Sequence, residues 1–168
     1  MDWFLFAVQW LHVILAILWF GSVLYADVVL APAFATLPIS IQRSAMAAIG
    51  VRATRIIPPA AGLVILLGII RGTVFGQVRS IEALTTTYGV TLLLSFALAA
   101  GTFIYGVRVI GPTLDRIGAI SEADAVNPDG SPTPAALLLI GQAKRNGVIE
   151  LLLFLAIFTC MILMRFGL

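Results

Sequence analysis

The sequence predicts an all-α integral membrane protein, a single domain over residues 1–168 made of four transmembrane helices, and two observations carry that prediction. Hydrophobic residues make up 61% of the 168 and charged residues only 11%, with mean hydropathy +1.09. A soluble domain carries about 25% charged residues because its surface faces water. The second observation is length: a helix advancing ~1.5 Å per residue needs roughly 20 apolar residues to cross the hydrocarbon core. Four segments supply them.

The first span runs from about Trp3 to Tyr25 and holds no charged side chain. The connection from Pro32 to Arg55 contains Ile41 to Val51, which reads as helix and can run on into the second span. That span centres on Ile56 to Ile70 and ends near Phe75, with a kink expected where Pro58-Pro59 removes two backbone donors. A short connection, Gly76 to Thr87, leads to the third span, about Tyr88 to Ile110. Ser121 to Pro134 gathers Asn127-Pro128, Asp129-Gly130 and other turn formers, and reads as an exposed loop. Pro134 suits the first turn of a long final helix. Its early part, Ala135 to Asn146, projects from the membrane, and its span runs from about Val148 to Met164.

Net charge is +2 with the basic residues scattered, so a nucleic-acid partner has no support. One cysteine, Cys160, excludes an intramolecular disulfide. Met1-Asp2-Trp3 lacks the basic leader of a cleavable signal peptide, so the first stretch is expected to remain as a membrane helix. Lys and Arg resist translocation. The first and third connections hold Arg43, Arg52, Arg55, Arg108, Arg116, Lys144 and Arg145, against Arg71, Arg79 and Arg165 on the other side. Seven against three predicts both termini outside and the two long connections in the cytoplasm.

His12 is the sole histidine and sits mid-span. An ionisable ring in hydrocarbon is a functional hypothesis by default. At helical spacing it shares a face with Val8, Gln9, Ala16 and Trp19. It reads either as an axial ligand to haem iron or as an imidazole hydrogen-bonded to Ser95 or Thr102 of the third helix. Met161 lies at similar depth and offers a second, thioether ligand; its other reading is core filling. Three helical turns separate it from Glu150, so the two point the same way, with Cys160 pointing elsewhere. Arg71 reads as a partner for a haem propionate or as a side chain reaching lipid phosphate. Asp27, Arg52, Arg55, Arg108 and Glu150 fall at comparable depth and predict an internal ion-pair cluster, with a proton or ion path as the sharper reading. Gly68, Gly72 and Gly76 form a small-residue stripe expected to pack against Ala97 and Gly101. No pattern of nucleophile and base appears, which argues against a hydrolase or transferase.

The segment Trp10-Leu11-His12-Val13-Ile14-Leu15-Ala16-Ile17-Leu18-Trp19-Phe20-Gly21 resembles the opening helix of small bacterial membrane families, the copper-resistance D-type proteins and the HemJ-type protoporphyrinogen oxidases. Arg55 followed by Gly62 is a second similar feature. The likeness covers about the first half of the chain. It implies a four- or five-helix fold in the bacterial inner membrane and, for the HemJ type, haem b held through the helix-one histidine, here His12. HemJ-type enzymes carry a lysine near the start of helix three, where this chain has Tyr88-Gly89-Val90-Thr91. One His and scattered Met make a thin copper path. The expectation is therefore a haem b-binding metalloprotein of electron transfer or haem-related redox chemistry, in contact with lipid and with a redox partner or further copies of itself. The alternatives are a cofactor-free assembly or scaffold protein and a small ion or metal transporter.

Overall fold

The computed structural model describes residues 2–167. Four helices long and apolar enough to span a membrane account for most of them: α1 (Trp3–Phe34), α2 (Ile39–Thr73), α3 (Thr87–Ala119) and α4 (Pro134–Phe166). No strand occurs among the described residues. The shortest has 32 residues, about 48 Å at 1.5 Å per residue. That exceeds the ~30 Å hydrocarbon core, so every helix runs on beyond it.

Local chemistry sets the helix starts. The Asp2 carboxylate caps the N–H groups of Phe4 and Leu5. Thr86 caps α3 at Gly89, and Thr133 caps α4 at Ala136 with Pro134 next to it, where a missing N–H costs nothing. Helix α2 passes through Pro58 and Pro59 as one element, so the Ile41 to Val51 stretch and the second span are one continuous helix. α1 and α3 each contain a π turn, at Ala26–Leu30 and Gly106–Ile110. Each lies just ahead of a proline, Pro32 or Pro112. Proline lacks an N–H and crowds the carbonyl four residues back; the ladder shifts instead to five-residue spacing, Ala31 N–H to Ala26 O and Gly111 N–H to Gly106 O.

Helix order follows the chain, with α1 on α2, α2 beside α3, α3 on α4, and α4 closing on α1. Neighbours are antiparallel, since Phe4 meets Phe75 at one end and Asp27 meets Gly147 towards the other. Both described ends of the chain therefore emerge on one side. Trp19, Ala61, Val64, Phe154 and Ile157 form the main core, with Trp19 edge-on to Phe154 at 5.0 Å between centroids. Lipid-facing side chains are the reverse of a soluble surface: Trp10, Ile17, Leu66, Leu94 and Leu152 are all exposed. A soluble monomer does not tolerate an apolar surface of that extent; hydrocarbon does.

A second, smaller core lies beyond the far end, built from Ile39, Ala125 and Ala136. The segment expected to be an exposed loop contributes to it. Ser121 caps a single helical turn, Glu122–Ala125, and Thr133 N–H donates to the Ala125 carbonyl. Ala125 is fully buried while its polar neighbours face outward. Turn-forming composition marked the polar face but not the one alanine that docks. The side chains of Asp129 and Ser131 close the turn, Oδ1 accepting from the Ser131 N–H at 2.9 Å and from its hydroxyl at 2.6 Å.

Candidate functional site

Two polar clusters interrupt the apolar interior. The first is at His12, buried on α1 with Val8 and Trp19 as the helical spacing predicts. Its Nδ1 lies 3.0 Å from the backbone oxygen of Val64 on α2. A carbonyl oxygen only accepts, so Nδ1 carries the proton and donates it. In the neutral ring Nε2 then keeps its lone pair, and it has no hydrogen-bond partner among the described residues. The expected contacts with Ser95 and Thr102 do not form, because both hydroxyls donate within α3, to Leu92 O and Leu98 O, and α3 lies diagonally across the bundle from α1. Gly68 makes the approach possible: a Cβ there would stand 3.2 Å from His12 Cε1.

The glycine stripe is thus divided among partners. Gly68 receives the imidazole, Gly72 receives the Leu92 side chain of α3, and Gly76 lies past the helix end against the Gly72 carbonyl. Ala97 and Gly101 are both exposed rather than packed on the stripe. Arg71, one turn beyond Gly68, is exposed. Met161 packs against the main core, on the same side of α4 as Glu150. Cys160, expected to face away from the interior, is buried too: α4 is enclosed through a wider arc than a one-sided helix.

The second cluster separates the two cores. Asp27 sits inside the α1 π turn with its carboxylate against Gly147 of α4, and its Oδ2 is buried without a hydrogen-bond partner. Glu150, three residues on, is 7% exposed, and its Oε1 would meet a Cβ at Gly106, the first residue of the α3 π turn, at 3.8 Å. Alongside, the Tyr105 hydroxyl donates to Asn146 Oδ1 at 3.0 Å, and Asn146 Nδ2 donates to Thr113 Oγ1 at 3.4 Å. The cluster of five charged residues expected at this depth does not assemble. Asp27 and Glu150 come together, whereas Arg52, Arg55 and Arg108 are exposed and hydrogen-bond to neither carboxylate among the described residues. Long guanidinium side chains reach the polar boundary; the shorter acids stay where their helices place them.

Tyr105, Thr113 and Asn146 belong to this site and were not singled out from the sequence. A signal was present in the pair of Val–aliphatic–small–Pro stretches, Val29-Leu30-Ala31-Pro32 and Val109-Ile110-Gly111-Pro112, which mark both π turns. Such turns concentrate at functional sites. No family model, curated protein or solved structure matches this chain. The reading of function therefore rests on these two clusters.

Proposed function

We propose that this chain is a haem b-binding protein of the bacterial inner membrane, in electron transfer or haem-related redox chemistry, with His12 as the iron ligand through Nε2. The observation that supports it is the Nδ1 hydrogen bond to the Val64 carbonyl. Metal-ligating histidines almost always donate their second ring N–H to a carbonyl or carboxylate, which fixes tautomer and ring orientation and makes the ligating nitrogen more basic. That donor chemistry fits a haem iron. Bound there, haem would supply one-electron iron chemistry, tuned by ligand identity and by the low dielectric around it. The chain's own part is positional: Val64 holds the imidazole, Gly68 leaves it room, and Arg71 is the cation available to a propionate. Met161 is the candidate second ligand.

The purified protein from haem-replete cells is expected to show a Soret band that weakens or shifts in His12→Ala. A colourless preparation, with His12→Ala altering thermal stability alone, would leave the scaffold alternative in its place. The buried Glu150 with the Asp27 carboxylate one turn away at Gly147 favours a second reading, proton or cation transfer. Two carboxylates gathered at one level of the bundle are costly when both are charged, and a proton or a cation shared by them would relieve that cost. Flux into liposomes that survives Glu150→Gln unchanged would remove it.

A further inference from the structure

At the end of the bundle that carries the long connections, a cleft of about 240 Å³ opens between α3 and α4, bordered by Arg108, Thr113 and Arg116 on one side and Gln142, Arg145 and Asn146 on the other. Arg108 and Arg116 are eight residues apart and stack along one face of α3. Arg145 faces them from α4. All three guanidinium groups are exposed, and no carboxylate borders the cleft. Its floor is polar and fixed: Thr113 and Asn146 are buried and joined by their hydrogen bond, and Asn146 Nδ2 keeps a second N–H. A second cleft at this end, between α2 and α3, differs: it is walled by small and apolar residues with one acid, Asp115, and no arginine.

Three like charges around a narrow space repel one another unless an anion sits among them. Guanidinium and amide groups suit tetrahedral oxyanions, because the planar fork donates two parallel hydrogen bonds to two oxygens. We propose that this cleft binds a phosphate-type oxyanion, and that the group is the head-group phosphate of an anionic phospholipid. The position supports the lipid source: the apolar stretch of α3 ends at Arg108, at the level where head groups begin, and basic recesses between helices on the cytoplasmic face are where such lipids bind. Free inorganic phosphate offers the same chemistry and is the other source to be tested. The inference uses neither His12 nor the Asp27–Glu150 pair, so it stands or falls apart from the haem reading.

The test uses the full chain in neutral detergent, with thermal unfolding followed on adding phosphatidylglycerol, phosphatidylcholine, inorganic phosphate or chloride at matched ionic strength. Phosphatidylglycerol is expected to raise the unfolding midpoint saturably, and phosphatidylcholine and chloride are not. The response should fall at least tenfold in apparent affinity in the Arg108→Gln, Arg145→Gln double variant and persist in Arg79→Gln at the opposite end. A saturable response to inorganic phosphate with none to phosphatidylglycerol would assign the site to free phosphate and overturn the lipid source; a response to both supports the lipid, since its head group carries the same oxyanion. Equal responses to the neutral and anionic lipids, no response to either anion, or an unaltered response in the double variant would overturn the proposal. Should the double variant fail to fold, Arg116→Gln read by native mass spectrometry gives the same decision through loss of retained anionic lipid.

Discussion

His12 and Gly68 are a matched pair, since a Cβ at position 68 would stand 3.2 Å from the ring that reaches Val64 O. Gly68→Ala asks the imidazole to give by a few tenths of an ångström, whereas Gly68→Val pushes it off the carbonyl. The larger variant is expected to lose about 1–3 kcal/mol to overpacking and to abolish any His12-dependent visible spectrum. A wild-type spectrum in Gly68→Val would show that the ring is not positioned from α2. Gly147 makes the analogous approach to the Asp27 carboxylate. Here the obstacle is the end of a short side chain, so Gly147→Ala should swing Asp27 away from Glu150 rather than part the helices. Infrared difference spectra of the carboxyl stretch, compared with Asp27→Asn, would check it. Outside the spans, the Ser131 hydroxyl and then its N–H hold the Asp129 carboxyl below the usual carboxylate range. A depressed folded-state value stabilises the turn above the unfolded value and is lost as pH falls through the folded one. Amide exchange at Ser131 should therefore stay slow until pH drops below the ordinary carboxylate range, and Asp129→Asn should remove that dependence.

The two π turns are the elements with most consequence. Each turns the helix by an extra residue ahead of its proline; Asp27 lies inside the turn of α1, Gly106 opens that of α3, and both stand against α4. Restoring a backbone donor with Pro32→Ala allows four-residue spacing to return, turning the two ends of α1 on either side of the turn by ~100° relative to one another. In a Cys160→Ala background, oxidative cross-linking of Asp27→Cys to Glu150→Cys should proceed readily with Pro32 present and slow at least tenfold with Pro32→Ala. Equal rates would mean that packing, not the proline, fixes the phase. Helix α2 shows the contrast: it stays α-helical past Pro58 and Pro59, with no π turn, although both lack a backbone donor.

The whole molecule has two apolar cores with a polar belt between them, and the solvent decides what each is worth. In hydrocarbon a side chain gains no transfer energy by moving from lipid into the bundle; it gains dispersion contacts. Trp19→Ala, at the centre of the main core, should therefore cost less than the ~3–5 kcal/mol of the same change in a water-soluble protein, measured by unfolding in mixed micelles. Ala125→Asp strikes the small core, where water is the alternative, and should detach the Glu122–Ala125 turn with a clear gain in protease sensitivity between residues 120 and 134. The excess of basic residues at that end predicts that a cysteine replacing Lys144 is labelled only from the cytoplasmic face. Labelling from outside would invert the topology.

Hydrophobic length and charge placement are local in the chain, so the sequence alone determined the four spans, the α1 limits before its π turn, the Pro134 start of α4, and the shared face of His12, Val8 and Trp19. It also exposed Asp27 and His12 as polar groups in need of a partner. Partners are decided in three dimensions. Whether His12 finds a hydroxyl of α3 or a carbonyl of α2 depends on which helix is its neighbour, and a backbone acceptor made accessible by Gly68 leaves no side-chain signature. The gathering of Asp27 with Glu150, without the arginines at the same depth, depends on which helices are neighbours and on the reach of each side chain. Periodicity sets the face a residue occupies along its own helix; only packing sets what that face meets.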